Sequence, residues 1–174
     1  MPITINGTGS IAGLSVGGLP DGTVDRDSLE TKAKGSILQV LSMSSTTVYE
    51  YSSATYADTD ITLNITPSST SHKILAIVSL YTRCYATDYV SLGIKLLRDS
   101  TTVFENSLFM QNSVNAAVNT FHNTPITVLD APSTTSQITY KIQGAETSTG
   151  SGTHLAGIGL SNKPSHLTLL EVAL

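Results

Sequence analysis

Turn-forming clusters break up the whole chain after Ser36, and no apolar stretch between them is long enough for a large helix. Pro67-Ser68, Asp99-Ser100, Asn123–Pro125, Ala131–Thr135, Ser148–Gly152 and Asn162–Pro164 are the clearest of these breaks. The segments between them are rich in Val, Ile, Thr and Tyr, the residues that suit a pleated surface. Ile37, Leu38, Val40 and Leu41 open the series, and Thr46–Tyr56 continues it. Ile61, Leu63 and Ile65 alternate strictly up to Pro67. Lys73–Tyr85 (KILAIVSLYTRCY) is the longest apolar run and predicts a central strand covered on both sides. Tyr89–Arg98 and Thr101–Met110 flank a tight turn at Asp99-Ser100. Ser113–His122, Ile126–Leu129, Gln137–Ala145, His154–Leu160 and His166–Leu174 follow. Ser113–His122 also fits a helix, with Val114, Ala117, Val118 and Phe121 at helical spacing; strands on either side favour strand. About ten short strands separated by turn signals predict an all-β, antiparallel β-sandwich of the jelly-roll type.

Residues 1–35 differ from this pattern. Ile3, Ile5, Ile11, Leu14, Val16, Leu19, Val24 and Leu29 are apolar, but glycines at 7, 9, 13, 17, 18 and 22 interrupt every period. Fixing a residue costs about 1–2 kcal/mol, and each buried aliphatic side chain returns about 1.5–3 kcal/mol. Eight such side chains cannot order the segment alone, so another surface must supply hydrogen bonds and buried area. An extended N-terminal arm (1–35) in front of a β-sandwich body (36–174) is the expected organisation. The arm closes on a short predicted helix, Asp27–Lys34. Asp27 is its N-cap, Glu30 completes a capping box, Lys32 and Lys34 lie in its last turn, and Gly35 follows it.

Composition narrows the function. Charged residues are 13% of the chain, against about 25% in a typical domain. Nine Lys and Arg are scattered through a chain of net charge −4. A phosphate-backbone binder needs a clustered basic footprint, so nucleic acid is not an expected partner. A lone cysteine, Cys84, leaves no disulfide within the chain and no cysteine-rich metal site. No apolar run reaches the roughly 18 residues of a membrane span, so no membrane insertion is expected. The opening MPITINGTGS lacks the basic and apolar regions of a signal peptide, which predicts synthesis in a cytoplasm.

Chemistry is sparse. Gly7-Thr8-Gly9 with Gly13 has neither the spacing nor the strand–helix context of a dinucleotide fingerprint, so no cofactor is expected. His72, His122, His154 and His166 show no metal-ligand spacing, and Asp58-Thr59-Asp60 forms no calcium loop. No GxSxG elbow is present, and Glu50, Glu105, Glu146 and Glu171 stand isolated in strands. No catalytic residue and no metal ligand is therefore assigned. Tyr49, Tyr51, Tyr56, Tyr81, Tyr85 and Tyr89 are dense enough for a recognition surface, although strand packing with the hydroxyls reaching the rim explains them better. Asp88, Tyr89, Ser148, Gly150, Gly152 and Thr153 fall in predicted loops that could meet a ligand.

Four segments carry a resemblance: GTGSIAGLSVGGLPDGTVDRDSL (7–29), KGSILQVLS (34–42), NITPSSTSHKILAIVSL (64–80) and LTLLEVAL (167–174). They resemble small structural proteins of tailed bacteriophages, particularly those of marine bacteria. The resemblance implies a virion component with a jelly-roll-like body, commonly trimeric, and brings no catalytic residues. It also implies that Ile3–Leu29 is the attachment side. The chain has no long shaft, heptad run or internal repeat. A capsid decoration (cement) protein or head fibre is thus expected, on the outer surface of the virion and made in the bacterial host cytoplasm. Its partners would be its own copies as a homotrimer and the phage coat protein or another virion protein. A tail-fibre module that binds a host surface glycan is the alternative.

Overall fold

The structure is a computed structural model that describes residues 36–112 and 117–173. Ten strands run in sequence: β1 (Ile37–Ser45), β2 (Tyr49–Tyr51), β3 (Ala57–Ile65), β4 (Lys73–Ala86), β5 (Val90–Arg98), β6 (Thr101–Asn112), β7 (Val118–Asp130), β8 (Ile138–Thr149), β9 (His154–Ile158) and β10 (Ser165–Val172). All pair antiparallel, in two sheets. The arm and the Asp27–Lys34 helix predicted from the sequence lie outside the described residues.

The pairing follows one rule. β5 pairs with β6 across the two-residue turn Asp99-Ser100, and Asp99 takes a left-handed φ of 52° there. Moving outward from that turn, β4 pairs with β7, β3 with β8, and β1 and β2 with β10 and β9. The chain is thus one long two-stranded ribbon, rolled up so that its turns also pair. β4 meets β10 and β9, and β5 meets β8. β1 and β2 lie end to end along β10 and β9, which gives one sheet four positions across: β1/β2, β10/β9, β4, β7. The other sheet runs β3, β8, β5, β6. This is jelly-roll wrapping.

The core lies between the sheets. Ile74, Ala76, Val78, Leu80, Cys84 and Ala86 of β4 point inward, toward Val90, Leu92, Ile94 and Leu96 of β5 and Ile138, Tyr140 and Ile142 of β8. Leu167 and Leu169 of β10 complete it, with Leu41 and Met43 of β1 packed at its edge.

Three sequence expectations are corrected. β4 is central in its sheet, but only one of its faces is covered. Burial alternates along its length, and Ile77 on the outward face is 39% exposed. The outward positions also carry Lys73, Tyr81 and Arg83, so the run is two-faced rather than uniformly apolar. Ser113–His122 and Ile126–Leu129 were expected as separate elements; Val118–Asp130 is one strand that passes straight through Asn123–Pro125. β7 is an edge strand, where a proline is tolerated if its nitrogen faces away from the ladder. Thr46–Tyr56 holds only the short β2, and the next strand starts earlier than expected, at Ala57.

Candidate interaction surfaces

At one end of the sandwich, the β4–β5 and β8–β9 loops bring together five of the six residues predicted to lie in loops; the sixth, Ser148, was misplaced, because β8 runs on to Thr149 and pairs Ser148 with Ser91 of β5. The Gly150 amide donates to the Tyr89 carbonyl at 2.9 Å. The Gly152 amide donates to Asp88 Oδ2 at 2.9 Å, and the Tyr89 amide donates to Asp88 Oδ1 at 2.7 Å. Thr87 and Thr153 exchange bonds, including Thr153 N to Thr87 Oγ1 at 3.0 Å. The Gly152 amide, with the other backbone donors, holds the Asp88 carboxyl below its ordinary range against a smaller opposing effect of burial. A Cβ at Gly150 would collide with Asp88, and one at Gly152 with Thr87. Asp88 is therefore a clamp between two loops, and its oxygens are spent on backbone. Tyr89, 39% exposed, is the residue of this end best placed to meet a partner.

Just inside this end, Glu146 faces His154 across the sandwich at 3.3 Å. Glu146 is buried, its Oε2 has no partner, and burial raises its pKa against the pull of His154. Cys84 nearby is pushed up to about 11, chiefly by burial, so its thiol is not a poised nucleophile. His154 Nδ1 lies 2.8 Å from the Gly152 carbonyl, which ties the pair to the loop clamp.

The opposite end is held by two polar networks that the sequence did not reveal. Glu171 of β10 accepts from Gln39 Nε2 of β1 at 2.6 Å and from the amide and hydroxyl of Ser68, each at 2.7 Å. His72 Nδ1 sits 2.7 Å from the same carboxylate. Arg98 of β5 donates to both oxygens of Asp130 on β7, at 2.8 and 2.7 Å, and the Tyr140 hydroxyl donates to Asp130 at 2.6 Å. This second cluster joins the two sheets. The donors and acceptors in these clusters are up to 132 residues apart in the chain, a separation that no local pattern betrays.

The tyrosines do not form one surface. Tyr51 is buried with its ring over Gly144, and the Tyr56 hydroxyl is buried against Gly93 with Lys95 Nζ 4.2 Å above the ring. The Tyr49 hydroxyl accepts the Asp60 amide at 2.7 Å. Among the described residues, no three His, Cys, Asp or Glu side chains are grouped for a metal, and no helix is long and apolar enough to cross a membrane.

The remaining feature is the outer face of the β1/β2–β10/β9–β4–β7 sheet. One row across its four strands is entirely aliphatic: Val40 pairs with Leu170, Leu170 with Leu75, and Leu75 with Leu129. Val40 and Leu129, at the two edges, are 56% and 52% exposed. Ile77 stands in the next row between Thr168 and Thr127. The expected arm residues, Ile3, Ile5, Ile11, Leu14, Val16, Leu19, Val24 and Leu29, lie outside the described residues.

No protein-family model matches the chain, and no curated protein matches it by sequence. Solved structures with a similar course include those of infectious bursal disease virus. The Gx strain structure is 12% identical, covers 79% of this chain and 33% of its own, and has a TM-score of 0.41. The Gt strain structure is 14% identical, with 78% and 38% covered and a TM-score of 0.39. The VP2 subviral particle is 13% identical, with 78% and 38% covered and a TM-score of 0.35. The chain thus spans about a third of the length of those proteins. At such identities and scores, the likeness carries no functional information.

Proposed function

We propose that this chain is a non-enzymatic structural component of a bacteriophage virion, a capsid decoration or head-fibre protein on the outer surface of the particle. Its body associates as a homotrimer, and residues 1–35 dock on the coat protein. The observation that carries the reading is how the described residues use their chemistry. Ten strands fill one core, and the principal ionic clusters hold strands or loops to one another: Glu171 to β1 and the β3–β4 loop, Asp130 to β5 and β8, Asp88 to the β8–β9 loop. Set against this, the sequence of residues 1–35 is apolar, glycine-rich and short of self-sufficient burial. Strand addition suits such a segment, because main-chain hydrogen bonds give affinity and pockets for alternate side chains give specificity. Three arms on one trimer then act at high effective concentration once the first has docked. The mechanical result is to link neighbouring coat subunits.

Deleting Met1–Gly35 tests this. The truncated protein is expected to keep a cooperative unfolding transition and to lose co-sedimentation with purified particles. Retained particle binding would contradict the reading. One observation favours a second reading, a tail-fibre module that recognises a host surface glycan: Asp88, Tyr89, Ser148, Gly150, Gly152 and Thr153 converge at one end with Tyr89 exposed. Copy number separates the two, hundreds per virion for decoration and a few tens or fewer for a fibre.

A further inference from the structure

We infer that the Glu146–His154 pair is a proton-dependent latch: the end of the sandwich built from the β4–β5 and β8–β9 loops stays closed while the two side chains share a proton, and opens when that proton is lost. The inference goes beyond the structural role proposed above and does not depend on it.

His154 stands between two acceptors. A carbonyl oxygen only accepts, so Nδ1, 2.8 Å from the Gly152 carbonyl, carries a hydrogen. Nε2 lies 3.3 Å from Glu146 Oε1. An ionised carboxylate also only accepts, so a further proton sits either on Nε2 or on the Glu146 carboxyl. In both cases the pair holds one proton more than a neutral ring beside an ionised carboxylate. Burial makes that proton hard to lose. The Glu146 side chain is 5% exposed, and its Oε2 has no hydrogen-bond partner among the described residues. Without the shared proton, Glu146 would be a buried carboxylate facing a ring lone pair, an arrangement relieved by admitting water.

The surrounding elements offer no substitute. On β5, Leu92 pairs with Glu146, and on β6 Met110 pairs with Leu92; both are apolar. Ala86 of β4 pairs with His154. Cys84 of β4 has its thiol pushed up to about 11, and burial raises the Tyr51 phenol of β2 above its ordinary value. Asp88, from the β4–β5 loop, is an acceptor held below its ordinary range. The β2–β3 loop supplies the Ser53 carbonyl, which accepts the Glu146 amide at 3.0 Å.

The latch reaches the loops through Gly152. Its carbonyl accepts from His154, and its amide donates to Asp88, which in turn accepts the Tyr89 amide. Glu146, His154, Gly152 and Asp88 thus connect the core to Tyr89, the exposed aromatic residue at this end. Release of the ring frees Gly152 and, with it, the bonds that fix Tyr89. A solvated imidazole gives up its second proton near about pH 6.5. Above that value the closed end binds one proton more than the open end, so opening becomes easier as pH rises, by about tenfold per pH unit.

Native-state amide exchange on the full-length chain, corrected for the intrinsic base-catalysed rate, tests this. The amides of Gly150, Gly152 and Thr153 donate to the facing loop. Their opening constants are expected to rise about tenfold per pH unit from about pH 7 upward. The Ser68 amide, which donates to Glu171 at the other end, is expected to show no such rise. Glu146→Gln removes the need for the extra proton, because its amide can donate to a neutral ring, and should abolish the rise. Opening constants independent of pH in the native protein, an equal rise at Ser68, or an undiminished rise in Glu146→Gln would overturn the inference.

Discussion

Glu171 shows how a single side chain holds an end of this molecule. It is 1% exposed, and burial alone would raise its pKa. Hydrogen bonds from Gln39, His72 and Ser68 outweigh burial and bring it down to about 2. The folded value thus lies below the unfolded one. The stability it supplies is fully present above the ordinary carboxylate range and disappears as pH falls through about 4.5 toward 2. Glu171→Ala should cost about 1.5–3 kcal/mol near neutral pH, because it removes the charged acceptor shared by the partly buried donors on Gln39, Ser68 and His72. Its deficit relative to the native chain in urea denaturation should shrink on acidification through that window; a deficit independent of pH would contradict the assignment. Glu146 has the opposite sign. Burial raises it, so the folded state binds its proton more readily than the unfolded state does. Glu146→Gln removes this dependence, and its stability relative to the native chain should improve as pH rises through the carboxylate range. Two isolated glutamates in strands look alike in the sequence. Only the partners brought in by distant strands separate them.

At the scale of elements, the shortest strand depends on a close ring-on-glycine contact. β2 is three residues long and is held by β9 and by the Tyr51 ring, which rests on Gly144 of β8. A Cβ at Gly144 would stand 2.5 Å from ring carbons of Tyr51. Gly144→Ala should therefore displace β2 and cost about 1–3 kcal/mol, measured as a lowered urea midpoint at unchanged slope. An unaltered midpoint would show that the ring moves freely. Elements were legible where local chemistry determined them. Ile61, Leu63 and Ile65 give β3 by alternation, and Asp99-Ser100 gives the β5–β6 turn. They were misread where position in the sheet decides. Pro125 looked like a strand break, yet it sits inside β7 because β7 is an edge. Lys73–Tyr85 looked buried on both faces because Leu75 and Ile77 are apolar. Those two face outward, on the side of β4 away from the core.

For the whole molecule, the sequence pattern conveyed the class of fold and its jelly-roll type but not the strand order. The wrapping pairs residues as far apart as Ile37 and Val172, and only the assembled sheets reveal that every strand has its partner on the other arm of one rolled ribbon. The described residues form a body whose polar groups are largely turned to its own support. The leading apolar residues, Ile3 to Leu29, are proposed to find their support on a different object. Amide hydrogen exchange, read residue by residue on the isolated protein and on purified particles, tests that claim most directly. Residues 1–35 are expected to exchange rapidly in the isolated protein while the strands of the body are protected, and protection is expected to spread into the leading segment on the particle. Full protection of residues 1–35 in the isolated protein would contradict it.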